Sequence, residues 1–122
     1  MGIKIFCDSA DLKIIKKYAK NSIVKGFTTN PSLMRLSKAK NYKKYSIRLL
    51  SICAGKPISF EVFADQLNQM EKQAYTINSW GKNIYVKIPV TNSKGIFTGQ
   101  VIRKLSNNGI KLNITAVYTT TQ

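Results

Sequence analysis

Ile84-Tyr85-Val86-Lys87-Ile88-Pro89-Val90 is an apolar run of strand-forming residues with one lysine at its centre. A continuous run of this kind is the pattern of a strand in a parallel sheet, covered on both faces by helices. Such a strand gives a lysine no ready route to water, and a buried ammonium is costly unless it finds a partner. An amine that sheds its proton there becomes a nucleophile toward carbonyls and forms a Schiff base. The ordinary alternative is a strand that alternates, with Lys87 turned to solvent, since lysine is seldom buried.

On either side of this run the chain alternates strand-like and helix-like segments with few residues between them. Ile3 to Cys7 is an apolar run ending at Asp8. Ser9 is placed to cap a helix with Leu12, Ile15 and Ala19 on one face and Lys13, Lys16, Lys17 and Lys20 on another. Ile23 to Thr28 reads as a second strand, broken by Asn30-Pro31. Pro31 suits the first turn of a helix that carries Leu33, Leu36, Tyr42, Tyr45, Leu49 and Ile52, with an interruption around 37–41. Gly55 and Pro57 end it. Ile58 to Phe63 is the third strand, Leu67 to Trp80 the next helix and Ile84 to Val90 the fourth strand. A further helix from about Lys94 to Ser106 leads to a fifth strand, Leu112 to Val117.

This succession of βα units predicts an α/β fold with a parallel sheet covered by helices. No Gly-x-Gly-x-x-Gly follows the first strand, so a nucleotide-binding doubly wound sheet lacks its signature. The other standard solution is the (β/α)8 TIM barrel, which takes about 200 to 250 residues. The 122 residues are expected to form one domain, 1–122, with about five of the eight units of such a barrel.

Composition narrows the function. The chain has no histidine, so a histidine base is excluded. Its two cysteines, Cys7 and Cys53, make no metal or redox spacing and read as reduced core residues; no metal site and no cofactor are expected. There is no run of about 18 apolar residues for a membrane helix, and the N-terminal residues lack a signal-peptide layout. A cytoplasmic protein with no membrane partner is expected. The net charge of +15 suits anionic ligands or nucleic acid. The basic residues are spread along the chain, however, and only Arg35, Arg48 and Arg103 are arginine. Base readout and bidentate phosphate clamps favour arginine, so no nucleic-acid partner is expected.

The polar residues of the strands form a pattern. Asp8 ends strand one. Thr28, Thr29 and Asn30 end strand two. Glu61 lies in Ile58-Ser59-Phe60-Glu61-Val62-Phe63, Lys87 in strand four, and Asn113 and Thr115 in Leu112-Asn113-Ile114-Thr115-Ala116-Val117. In parallel α/β folds the active site lies at the carboxyl ends of the strands. With Lys87 as nucleophile, Asp8 or Glu61 can move protons as a carbinolamine becomes an iminium. Glu61 and Thr115 can hold a water, and Asn30 and Asn113 can bond the hydroxyls of a polyol. This is the equipment of a class I aldol site.

Two segments carry a family resemblance. Gly26-Phe27-Thr28-Thr29-Asn30-Pro31-Ser32-Leu33-Met34 resembles the first transaldolase signature, and Tyr85-Val86-Lys87-Ile88-Pro89-Val90-Thr91 resembles the Schiff-base lysine motif of the same family. The resemblance runs from Cys7-Asp8 to Gln122, and its compact spacing is similar to the short transaldolase and fructose-6-phosphate aldolase branch. It implies a lysine imine at Lys87, an acid/base role for Asp8, a catalytic water ordered by Glu61 and Thr115, and substrate contacts from Thr28, Asn30 and Asn113. Glu61 resembles the transaldolase choice; fructose-6-phosphate aldolases tend to have Gln there. The implied activity is transfer of a dihydroxyacetone unit between sugar phosphates, as in the pentose phosphate pathway. Fructose-6-phosphate aldolase activity is the alternative, and an inactive fragment that acts only after association is a second. The family's sixth to eighth strands and its serine-arginine phosphate pocket have no counterpart in these residues. The chain alone is therefore expected to turn over little substrate and to associate as a homo-oligomer or with a missing barrel half.

Overall fold

The computed structural model describes residues 5–37 and 40–115, with the backbone alone at Thr115. Five strands and five helices are present among them: β1 Ile5–Asp8, α1 Leu12–Ala19, β2 Val24–Thr28, α2 Pro31–Leu36, α3 Tyr42–Ile52, β3 Ile58–Glu61, α4 Leu67–Asn78, β4 Ile84–Pro89, α5 Gly99–Asn107 and β5 Leu112–Thr115. The strands form one sheet in the order β1-β2-β3-β4-β5, every neighbouring pair parallel. A doubly wound sheet reverses its strand order at a switch point; this sheet never does. It is an incomplete (β/α)8 barrel, in which each strand lies beside its successor.

Side-chain alternation gives the sheet two unlike faces. On β4, Ile84, Val86 and Ile88 are fully buried, whereas Tyr85, Lys87 and Pro89 are only partly so. Ile58 and Phe60 of β3 join the first set, and together with Ile15, Leu49, Met70, Ala74, Ile77, Val101 and Leu105 from the helices they make the core. The other face looks toward the barrel interior. At Gly26 a Cβ would stand 2.7 Å from the Phe6 ring and 2.7 Å from the Pro57 carbonyl oxygen, so only glycine lets the three strands close up there. No helix among the described residues is long and apolar enough to cross a membrane.

Several expected boundaries move. The cap of α1 is Asp11, whose Oδ1 accepts from the N–H groups of Lys13 and Ile14; Ser9 Oγ instead accepts from Asp11 N, one step earlier. The interrupted second helix is two helices, α2 and α3, each capped by its own asparagine, Asn30 and Asn41. The helix expected from Lys94 starts at Gly99. Asn92 Oδ1 accepts from Lys94 N and Ile96 N, and Thr91 pairs with Phe97, so this stretch turns back on β4. Cys53 is buried, but Cys7 is only half-buried and lies on a strand; both are free thiols. The expected parts of β1 before Ile5 and of β5 beyond Thr115 lie outside the described residues.

Candidate active site

Strand register assembles the polar residues. Lys87 of β4 is aligned with Glu61 on β3 and with Asn113 on β5. Aligned residues of neighbouring parallel strands point to the same face, so these three share the interior side. A second row, closer to the amino ends, is made by Asp8 aligned with Thr28, Thr28 with Ser59, and Ser59 with Tyr85. Thr115 is aligned with Pro89, toward the carboxyl end from Lys87; its side chain lies outside the described residues.

Hydrogen bonds tie the rows together. Lys87 Nζ donates to the Thr29 carbonyl at 3.2 Å. Thr28 Oγ1 donates to Asp8 Oδ1 at 2.8 Å, which orients that carboxylate. Asn113 Nδ2 lies 3.5 Å from Ser59 Oγ. Asn30 Oδ1 accepts from Leu33 N at 2.9 Å and caps α2, so this oxygen is already engaged and the amide N–H groups are what Asn30 has to offer a ligand. Lys87, Glu61 and Asn113 are half-buried and Asp8 is exposed. Lys87 is therefore neither sealed in a core nor turned to solvent among the helices. It stands on the interior face with a carbonyl partner, which answers the desolvation problem posed by its sequence.

A cavity of about 520 Å³ opens on the same face, lined by Thr28, Ser59, Tyr85 and Asn113 with Phe6 and Leu112 among its apolar walls. On β4 it is bounded by Tyr85 and not by Lys87, so it lies on the amino-end side of the amine. Two residues outside the predicted set support the site. Ser59, two positions before Glu61, was discoverable from strand alternation alone. Tyr42 was not: its hydroxyl reaches from α3 to donate to the Glu61 carbonyl at 2.9 Å, while its ring lies 5.3 Å from that of Phe63 and 5.9 Å from that of Trp80. Burial raises the pKa of this hydroxyl, and the charge of Glu61 adds to the rise.

The loops at the carboxyl end are clasped. The Asp65 carboxylate accepts from Ser93 N at 2.8 Å and from Ser93 Oγ at 2.6 Å, joining the loop after β3 to the loop after β4. The Ser93 hydroxyl, then the Ser93 N–H, hold the Asp65 pKa below its usual value. On β1, burial raises the pKa of the Cys7 thiol, and the charge of neighbouring Asp8 adds to it.

A family model described as Transaldolase/Fructose-6-phosphate aldolase matches residues 5–122. A probable transaldolase of Dehalococcoides mccartyi is 34% identical over 120 residues, a stretch that covers 98% of this chain and 54% of that protein. One from Thermodesulfovibrio yellowstonii is 37% identical over 122 residues, covering 98% of this chain and 53% of the relative. One from Herpetosiphon aurantiacus is 32% identical over 120 residues, with 98% and 52% covered. The chain thus spans about half the length of the curated relatives it matches. With consecutive parallel strands in barrel order, a lysine on the interior face of β4, and a family match over nearly all of its length, the chain belongs to the transaldolase/fructose-6-phosphate aldolase family.

Proposed function

We propose that this chain supplies the imine-forming part of a transaldolase site. The observation that supports it is the position of Lys87, on the interior face between Glu61 and Asn113, with Nζ held by one carbonyl. In this reading the lone pair of Lys87 Nζ attacks the carbonyl carbon of a ketose phosphate. The carbonyl oxygen takes up a proton, nitrogen loses one, and the carbinolamine expels water to leave an iminium. Asp8, exposed and oriented by Thr28, takes the proton of the C4 hydroxyl as the C3–C4 bond breaks; the bond's electron pair goes to C3 and the aldose leaves. The enamine that remains adds through C3 to an acceptor aldehyde, and a water returns the amine. Glu61 and Thr115 are the proposed holders of that water. Thr28, whose hydroxyl proton is directed at Asp8, has oxygen lone pairs for a substrate hydroxyl; Asn30 offers N–H groups and Asn113 its amide.

Because the chain spans half of its relatives, the proposed activity belongs to the full-length barrel. Residues 1–122 alone are expected to associate with a second copy or with the remaining barrel strands. Phe6, on the interior face, is 49% exposed without them. Borohydride reduction of the full-length protein with fructose 6-phosphate, followed by peptide mass spectrometry, tests the reading. An adduct on Lys87 supports it. An adduct on another lysine, or one that persists in Lys87→Ala, overturns it. Release of free aldehyde without an acceptor aldose, at a rate equal to that of transfer, would favour fructose-6-phosphate aldolase activity.

A further inference from the structure

Thr29 is fully buried, and the backbone on either side of its carbonyl is held by hydrogen bonds. Thr29 N and Thr29 Oγ1 both donate to the Ser59 carbonyl, at 3.1 Å and 2.7 Å. The preceding carbonyl, of Thr28, accepts from Ser9 N at 3.0 Å. The next residue, Asn30, is the cap of α2 and is followed by Pro31 at the first helical position. The Thr29 carbonyl, between this anchored Cα and the helix cap, is the acceptor for Lys87 Nζ. The backbone N–H alone would satisfy the Ser59 oxygen, so the hydroxyl is not required to pair a buried group. Its effect is geometric: with its N–H and hydroxyl on the same oxygen, the Thr29 Cα and side chain are anchored, and the carbonyl projects from that Cα.

We infer that Thr29 is a positioning residue for the Lys87 amine, acting through its own carbonyl and anchored by its hydroxyl to Ser59. The inference rests on the imine chemistry proposed for Lys87. A carbonyl can only accept, so the contact uses an N–H of Lys87. In the neutral amine this removes the rotamer about the Cε–Nζ bond in which the lone pair faces Thr29. Reaction then starts from two orientations of the amine instead of three, neither with its lone pair toward Thr29, and misplacements of about 1 Å at a reacting centre can cost ~100-fold in rate.

The test compares Thr29→Ser with Thr29→Ala in the full-length protein. Both lose the same methyl group and differ by the hydroxyl. The readouts are the single-turnover rate of borohydride-trappable imine on Lys87, the fructose 6-phosphate concentration giving half-maximal rate, and thermal unfolding. The serine variant should stay within about threefold of the unaltered protein, while the alanine variant forms imine about tenfold more slowly at an unchanged half-saturating concentration. Equal rates in the two variants overturn the inference. So does a rate deficit that follows a loss of thermal stability or of substrate affinity, or an alanine variant that fails to fold beside a serine variant that does. If the unaltered protein forms no imine on Lys87, the proposed function falls and the inference with it. If it does, and serine and alanine behave alike, only the inference falls.

Discussion

Lys87 and Lys56 occupy opposite ends of the sheet and meet the backbone in different ways. Lys56, just before β3, donates through Nζ to the carbonyls of Asn21 at 2.6 Å, Val24 at 2.7 Å and Tyr18 at 3.3 Å. Three acceptors fill the three N–H directions of an ammonium. They include carbonyls from the end of α1 and the turn after it, where a cation offsets the exposed negative ends of the peptide dipoles. The Lys56 carbonyl in turn accepts from Asn83 Nδ2 at 2.7 Å. Lys87 donates to the carbonyl of Thr29 and is half-buried on the interior face. A lysine whose donors are all taken is a strut. One on the interior face of the sheet, aligned with Glu61 and Asn113, is placed for chemistry. The amino ends of the strands therefore carry stability and the carboxyl ends the candidate site, the division expected of a (β/α)8 barrel.

The sharpest way to break this comparison is to exchange the consequences of the two lysines. Lys87→Ala in the full-length protein should abolish the borohydride-trappable adduct and lower transaldolase turnover by at least ~1,000-fold, as expected when a covalent nucleophile is removed. Its unfolding free energy should change by less than about 1 kcal/mol. Substantial residual turnover would remove Lys87 from the chemistry.

Lys56→Met should do the reverse. Losing charge-assisted bonds to three carbonyls should lower stability by about 1.5–3 kcal/mol, read from denaturant unfolding. Turnover of the folded fraction should stay within about threefold of normal, since the substitution is remote from the reacting centre. A stable but inactive Lys56→Met would show that the two ends are not separable.

Thiol labelling sharpens the comparison further. Cys53 is buried at the amino-end junction, where Asn83 Nδ2 donates to its sulfur at 3.3 Å, and burial raises its pKa despite that bond. Cys7 is only half-buried, although its pKa is also raised. Iodoacetamide should label Cys7 first and reach Cys53 on unfolding, and Lys56→Met should speed the second event. Equal labelling of both thiols in the folded protein would contradict the described burial.

The smallest effect is expected at the Asp65–Ser93 clasp. The folded pKa of Asp65 is depressed, so its contribution to stability is present above the unfolded value, about 3.9, and is lost as pH falls through the folded value. Near neutral pH the clasp is intact. Asp65→Asn should raise hydrogen exchange in the loop after β4 while leaving the exchange of β4 itself unchanged, and its effect should vanish in strong acid. Unchanged loop exchange at pH 7 would show that the clasp does not restrain the loop.

Much of this protein is legible in local pattern. The period of the apolar residues gives the alternation of strand and helix, and the run around Lys87 indicates a parallel sheet. The transaldolase-like segments mark Asn30 and Lys87, and strand ends mark Asp8, Thr28, Glu61 and Asn113 as one set. What local pattern could not reach depends on contacts between distant residues. The Thr29 carbonyl meets Lys87 across 58 positions, and Tyr42 meets Glu61 across 19. Ile96 continues a helical period and so extends the expected α5 back to Lys94, yet Asn92 and Thr98 hold that stretch against β4 in a turn. Ser9 and Asp11 are both competent caps by residue type, and only backbone geometry chose Asp11. Side-chain period is a property of a few neighbouring residues and survives in the sequence. Register, the meeting of particular donors and acceptors, and the half-exposed setting of Lys87 arise only when the strands align, because each is a relation between segments that the chain brings together on folding.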